Sequence, residues 1–277
     1  MPTDPGTVTV ERVEQGRVAI VTLHRPTKRN ALGPAMWRGL ADAAADLKKQ
    51  LPRAVIVTGS RESGVFCSGM DLSFDNPQVT RFIEATQSNA VEPMRELLKE
   101  LRECMDALVQ LPVPLIAAVN GLAYGGGAEL ALRCDLRVMD ASARLCFPEV
   151  KLGVMADMGG CVRLTRLVGP AIAADLLLTA RALEAKELLS LGLISRISAP
   201  GESLAGALEL ARTIARNGPR AVRATLDVIR RTLDLDEAGA LALERENAAR
   251  LVASGECVHG VSAFAERRTP SFPDITD

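Results

Sequence analysis

Histidine is nearly absent from this 277-residue chain, which has two, and its six cysteines stand apart at 67, 104, 134, 146, 161 and 257 with no C-x-x-C pair. That spacing argues against a zinc site and against a disulfide framework. It predicts reduced, structural thiols. Net charge is missing too: 33 basic residues against 34 acidic ones leave −1, so no global field would draw in nucleic acid or an anionic membrane. No run approaches the roughly 20 apolar residues of a membrane span. Met1-Pro2-Thr3-Asp4-Pro5-Gly6 has neither the basic nor the apolar region of a secretory signal. The expectation is a soluble cytoplasmic protein with no metal, no nucleic-acid partner and no membrane partner.

What the chain does have is apolar patterning, with 48% hydrophobic residues and hence a sizeable core. Residues 7–23 alternate as a hairpin with a turn near Gly16. A polar, basic loop follows, from His24 to Leu32, and Pro34 opens a helix to about Gln50. Residues 53–59 read as a buried strand leading into a turn at Phe66-Cys67-Ser68-Gly69-Met70-Asp71-Leu72. Residues 73–92 lack periodicity and are expected to form a mobile or partly helical lid. From Pro93 an apolar stripe marks a helix that ends before Pro112. Strands are expected at 115–119, 135–139 and 143–147, which makes an α/β core of repeated strand–strand–helix units. Beyond about Gly169 helices dominate, over 171–178, 183–189, 203–215 and 219–253, with a short strand within 192–197.

The densest chemistry lies in Asn120-Gly121-Leu122-Ala123-Tyr124-Gly125-Gly126-Gly127-Ala128-Glu129-Leu130. Three glycines at a strand-to-helix junction expose backbone N–H groups at the positive end of a helix dipole. Such donors suit a reaction that passes through an oxyanion or enolate. The plain alternative is a tight turn. The stretch has no G-x-G-x-x-G and no Lys-Ser/Thr of a phosphate-binding loop. The chain has no G-x-S-x-G elbow, and neither histidine has a triad-like setting. Acids carry the remaining signal: Glu129 after the glycines, Glu149 in Phe147-Pro148-Glu149, and Asp157 among Val154, Met155, Ala156 and Met158. A carboxyl buried in such company has a raised pKa and can carry a proton near neutral pH. A capping role for Asp157 and a structural ion pair for Glu149 are the bland alternatives.

Four motifs, in order, resemble the crotonase (enoyl-CoA hydratase/isomerase) family over about residues 8–272. His24-Arg25-Pro26 through Asn30-Ala31-Leu32 resembles the family's N-R-P-x-x-x-N-A-L loop, with His24 for Asn. Phe66 to Leu72 resembles F-x-A-G-x-D-L, with Ser68 for Ala. Asn120 to Leu130 resembles N-G-x-x-x-G-G-G-x-E-L, and Phe147-Pro148-Glu149 with Gly153 resembles the later P-E-x-x-x-G segment. The resemblance implies a spiral of ββα units carrying the acyl-CoA site over residues 1–200. It implies a helical C-terminal trimerisation region over 201–277, and a homotrimer or dimer of trimers. It implies an enzyme of fatty-acid β-oxidation type with no cofactor, CoA being part of the substrate. It places the thioester oxygen between the N–H groups of Met70 and Gly126. CoA phosphates would meet Arg25, Lys28 and Arg29, and adenine would meet backbone around Ser68, Asp71 and Leu72.

Glu129 and Glu149 stand where 2-enoyl-CoA hydratases carry the glutamates that activate water. Those hydratases usually have a small residue where this chain has Asp157. An acid eight residues after the glutamate resembles the Δ3,5-Δ2,4-dienoyl-CoA isomerases, although these usually carry Asp at the position of Glu129. The resemblance then implies Glu149 as base at C2, Asp157 as acid at C6, and Glu129 tuning Glu149 or positioning water. Hydration by Glu129 and Glu149 is the alternative. A non-catalytic or RNA-associated scaffold of the same fold is a remote one, disfavoured by the near-zero charge and the retained acids.

Overall fold

The computed structural model describes residues 4–275. Strands β1 (Thr7–Val13) and β2 (Val18–His24) pair antiparallel across a tight turn, in which Gly16 has φ +83°. The helix α1 (Pro34–Lys49) follows with proline in its first turn, where a missing N–H costs nothing. Then come β3 (Ala54–Gly59), β4 (Val65–Cys67), α2 (Pro77–Gln87) and α3 (Val91–Val109). The next unit is β5 (Leu115–Val119), β6 (Leu122–Tyr124) and α4 (Gly126–Arg133). It is followed by β7 (Leu136–Asp140), β8 (Arg144–Cys146) and α5 (Gly160–Thr179). The chain continues through β9 (Leu183–Glu184), α6 (Ala185–Ser190), β10 (Arg196–Ser198) and α7 (Ser203–Ala215). It closes with α8 (Pro219–Arg231), α9 (Glu237–Ala253) and α10 (Glu256–Ala265).

Each repeat sends one strand to each of two sheets. The large sheet has the order β1-β2-β3-β5-β7-β10 and the small one β4-β6-β8-β9. From β2 onward the large sheet is parallel, so both its faces must be covered. Alternation along β3 divides its side chains accordingly. Val55 and Val57 face the main core with Leu40, Phe66, Leu115 and Leu130, while Ala54 and Ile56 face α7. The helix α7 presents Ala207, Ala211 and Ala215 to Val18, Ile56, Ile116 and Val138. Small side chains let its backbone lie close on the sheet. Residues 203–215, assigned from the sequence to the C-terminal region, thus cover the core sheet, whereas α8, α9 and α10 pack on one another.

Residues 73–92, expected to be mobile or partly helical, are partly helical: α2 has its N-terminus capped by the Asn76 side chain accepting from the Gln78 N–H at 3.0 Å. Two other expectations need correction. The stretch 219–253 is two helices, broken by a 3-10 turn at Thr232–Asp234 and restarted at the cap formed by Asp236. The helix expected from 171 begins at Gly160 and is kinked where Gly169, at φ +78°, precedes Pro170. The helix α10 carries too little periodicity to be read in advance. Among the described residues no helix is long and apolar enough to cross a membrane.

Candidate active site

Two turns meet where the neighbouring strands β4 and β6 of the small sheet end. At the end of β4, Leu32 N–H donates to the Gly69 carbonyl at 2.7 Å and Asp71 N–H donates to the Leu32 carbonyl at 3.1 Å. These bonds straddle Met70 and leave its own N–H with no acceptor among the described residues. At the end of β6, Gly125 adopts φ +54°, ψ −128°, a conformation open to glycine and little else. Gly126, the first residue of α4, likewise has an N–H without an acceptor among the described residues. The turns touch closely. A Cβ on Gly69 would come within 2.9 Å of the Tyr124 oxygen and 3.2 Å of the Gly126 nitrogen, and one on Gly127 would overlap the Cys67 carbonyl. A Cβ on Gly126 would lie 3.9 Å from the Met70 nitrogen. Two unclaimed amides therefore lie side by side at the positive end of a helix, an arrangement that can stabilise an oxyanion.

Three carboxyls gather beside these amides. Glu129, on the first turn of α4, is 1% exposed and accepts from the Gly160 N–H at 2.6 Å. Burial raises its pKa to about 8 against the pull of that amide, and the charges of Glu149 and Asp157 push the same way. Glu149 opens a 3-10 turn after Pro148. Both its oxygens are buried without a partner, and a Cβ on Gly125 would stand 3.4 Å from its Oε1. Burial, then Asp157, raise its pKa. Asp157 is half-buried, and burial raises its pKa despite Arg102 nearby. Arg102 on α3 also donates to the Asp157 carbonyl. An apolar cavity of about 330 Å³ opens at Glu149, walled by Met155, Ala156, Cys161 and Leu177.

The expected CoA contacts divide. Arg25 is withdrawn from the phosphates, because its guanidinium is buried against Asp71 at 2.7 Å and also donates to the carbonyls of Ala31 and Asp4. Asp71 is withdrawn too: its N–H serves Leu32, and its carbonyl accepts from the Asn76 amide at 2.6 Å. That leaves only the second lone pair of the Asp71 carbonyl for a base. Lys28, Arg29 and Leu72 are exposed, and Ser68 is half-buried with its N–H donating to the Arg29 carbonyl at 3.2 Å. These four form one rim.

Sequence reasoning assigned no role to Asn30. It is buried at φ +56°, accepts from the Arg25 N–H at 2.8 Å and donates to Ser63 and Val65, clamping the basic loop to β4. Its place in the N-A-L motif was the available signal. Gly160 and Arg102, which hold the acids, carried none.

The family model described as "Enoyl-CoA hydratase/isomerase" matches residues 13–275. The short-chain-enoyl-CoA hydratase of Clostridium acetobutylicum is 34% identical over 92% of this chain and 94% of its own length. The mitochondrial enoyl-CoA hydratase domain-containing protein 2 of Mus musculus is 35% identical over 91% of this chain and 83% of its own. Among solved structures, an enoyl-CoA hydratase from Bacillus anthracis superposes with TM-score 0.85 at 32% identity, covering 96% of this chain and 98% of that one. Likeness of this extent, over a chain whose paired amides face a group of buried carboxyls, has one reading: the chain belongs to the enoyl-CoA hydratase/isomerase family, the acyl-CoA enzymes of the crotonase fold.

Proposed function

We propose that this enzyme converts 3,5-dienoyl-CoA to 2,4-dienoyl-CoA. The observation that carries the reading is the unequal state of the three acids. Glu129 is tied to the Gly160 amide, while Glu149 has two free oxygens at the mouth of an apolar cavity. Asp157 shares an electrostatic field with Glu149 and, like it, is raised by burial. Two neighbouring carboxyls in a poorly solvated site resist double ionisation, and burial raises both Glu149 and Asp157. A pair coupled in this way suits a reaction in which one group takes a proton and the other gives one.

In the proposed sequence the thioester oxygen accepts from the Met70 and Gly126 N–H groups. Ionised Glu149 removes a proton from C2, and the electron pair spreads over the diene and the thioester oxygen as a dienolate. Protonated Asp157 delivers its proton to C6. The C3=C4 and C5=C6 bonds become C2=C3 and C4=C5, and the two carboxyls have exchanged protonation states. Preorganised amide donors are worth about 2.7–4 kcal/mol each where one has been removed in other enzymes. CoA phosphates would sit at the rim of Lys28 and Arg29, whose charge suits them.

Hydration of a 2-enoyl-CoA by Glu129 and Glu149 is the second reading. Their electrostatic proximity and the hydratase named in Clostridium acetobutylicum support it. A conjugated 2,4-dienoyl chromophore should grow when the enzyme is given 3,5-dienoyl-CoA, and Asp157→Asn should slow it by about 10²–10⁴-fold. Full isomerisation by Asp157→Asn, together with robust hydration of crotonyl-CoA, would decide for the hydratase.

A further inference from the structure

A second cavity, of about 320 Å³, is lined by five arginines: Arg102 of α3, Arg133 of α4, Arg163 and Arg166 of α5, and Arg230 of α8. Three carboxylates answer them. Arg133 pairs with Asp106 and Arg166 with Asp234, while Arg230 grips Asp135 through two bonds of 2.8 and 2.6 Å. Arg102 spends its donor on the Asp157 carbonyl. Arg163 has no side-chain acceptor among the described residues, and its Nε is buried without one. Burial and the neighbouring charges of Arg230, Arg133 and Arg166 hold its pKa below the usual value, against the pull of Asp135. Four helices thus set five arginines against three paired carboxylates around a hollow, two positive charges in excess when Asp157, near Arg102, holds its proton. A buried donor without an acceptor is costly, which marks the hollow as built for something that accepts.

We infer that this cavity is a binding site for a small multivalent oxyanion of the phosphate or pyrophosphate class. Guanidinium forks match tetrahedral and planar oxyanions through paired N–H···O bonds. The excess of two charges matches a dianion, and the volume lies at the small end of ligand pockets. The site also adjoins the acids. Met155 and Ala156 wall the apolar cavity at Glu149, while Met158 and Gly159 wall the arginine cavity. Arg102 and Arg133 donate to the carbonyls of Asp157 and Met158. An anion drawing on these two arginines would act on the loop that carries Asp157.

The test is calorimetric titration with pyrophosphate, and separately with inorganic phosphate, at constant ionic strength. Excess coenzyme A is included so that phosphate contacts at the Lys28–Arg29 rim are already taken. The expected result is saturable binding of one pyrophosphate per chain, weakened at least about tenfold in Arg163→Gln and in Arg166→Gln, each losing a charge-assisted bond. Unchanged circular dichroism would show that both variants fold. Absence of saturable binding to the unmodified chain overturns the inference, and so does binding that neither substitution weakens. Loss of assembly mass in Arg163→Gln, read by sedimentation, also overturns it, because the arginines would then serve carboxylates of a second copy of this chain.

Discussion

Glu129 shows how one side chain can link the site to stability. Its pKa is raised by burial from 4.5 in the free side chain to about 8, so between those values the folded chain holds a proton that the unfolded chain has lost. Stability from this group is therefore full below pH 4.5 and falls as pH rises through 8. A shift of this size corresponds to several kcal/mol, to order of magnitude. Glu129→Gln keeps an oxygen for the Gly160 N–H and removes the titration. Its melting temperature relative to the parent should rise from pH 4.5 to 8 and level off beyond, as thermal denaturation over pH 4–9 would record. A constant difference across that range would mean that Glu129 is ionised in the fold.

The element scale holds both the reach of the sequence and its limits. The contact between α7 and the sheet is made by alanines, so Ala211→Leu should force the helix away and cost about 1–3 kcal/mol. The shift in denaturant midpoint measures it. The hairpin, α1, α3 and the three strand–turn pairs were legible because each has one dominant period or a proline or glycine at its edge. Helix α2 was legible only as a partly helical stretch, because its extent comes from the Asn76 cap and from packing on α3, neither of which has a period. The break between α8 and α9 was hidden because helix-forming residues continue through Thr232–Asp234. At the site, the glycine turn and the three acids stood out as residue types in apolar surroundings. Arg25 misled because basic residues in a loop look alike until burial distinguishes them. Arg25 turns inward to Asp71, while Lys28 and Arg29 remain exposed.

At the scale of the whole molecule, the C-terminal helices leave apolar side chains uncovered. Leu241 and Val252 on α9 are exposed, as are Val258, Val261 and Phe264 on α10, Phe264 by 87%. Large exposed apolar groups on neighbouring helices mark an interaction surface. The trimer or dimer of trimers expected from the sequence motifs is proposed to use it. Sedimentation should then give three or six chains for the parent and a smaller mass for Phe264→Asp. A monomeric parent would refute the assembly.

One long-range tie bears on how the chain is made. The buried guanidinium of Arg53, just before β3, donates to the Ala215 and Phe272 carbonyls at 2.9 and 2.6 Å and to Asp274 at 2.6 Å. All three partners are translated after most of the core sheet. Synthesis runs from the N-terminus, so a ribosome-bound chain can assemble β1 to β8 while Arg53 still lacks every acceptor it will use. Residues 272–274 thus act as a latch that closes over Arg53 after the strands of the first sheet are in place.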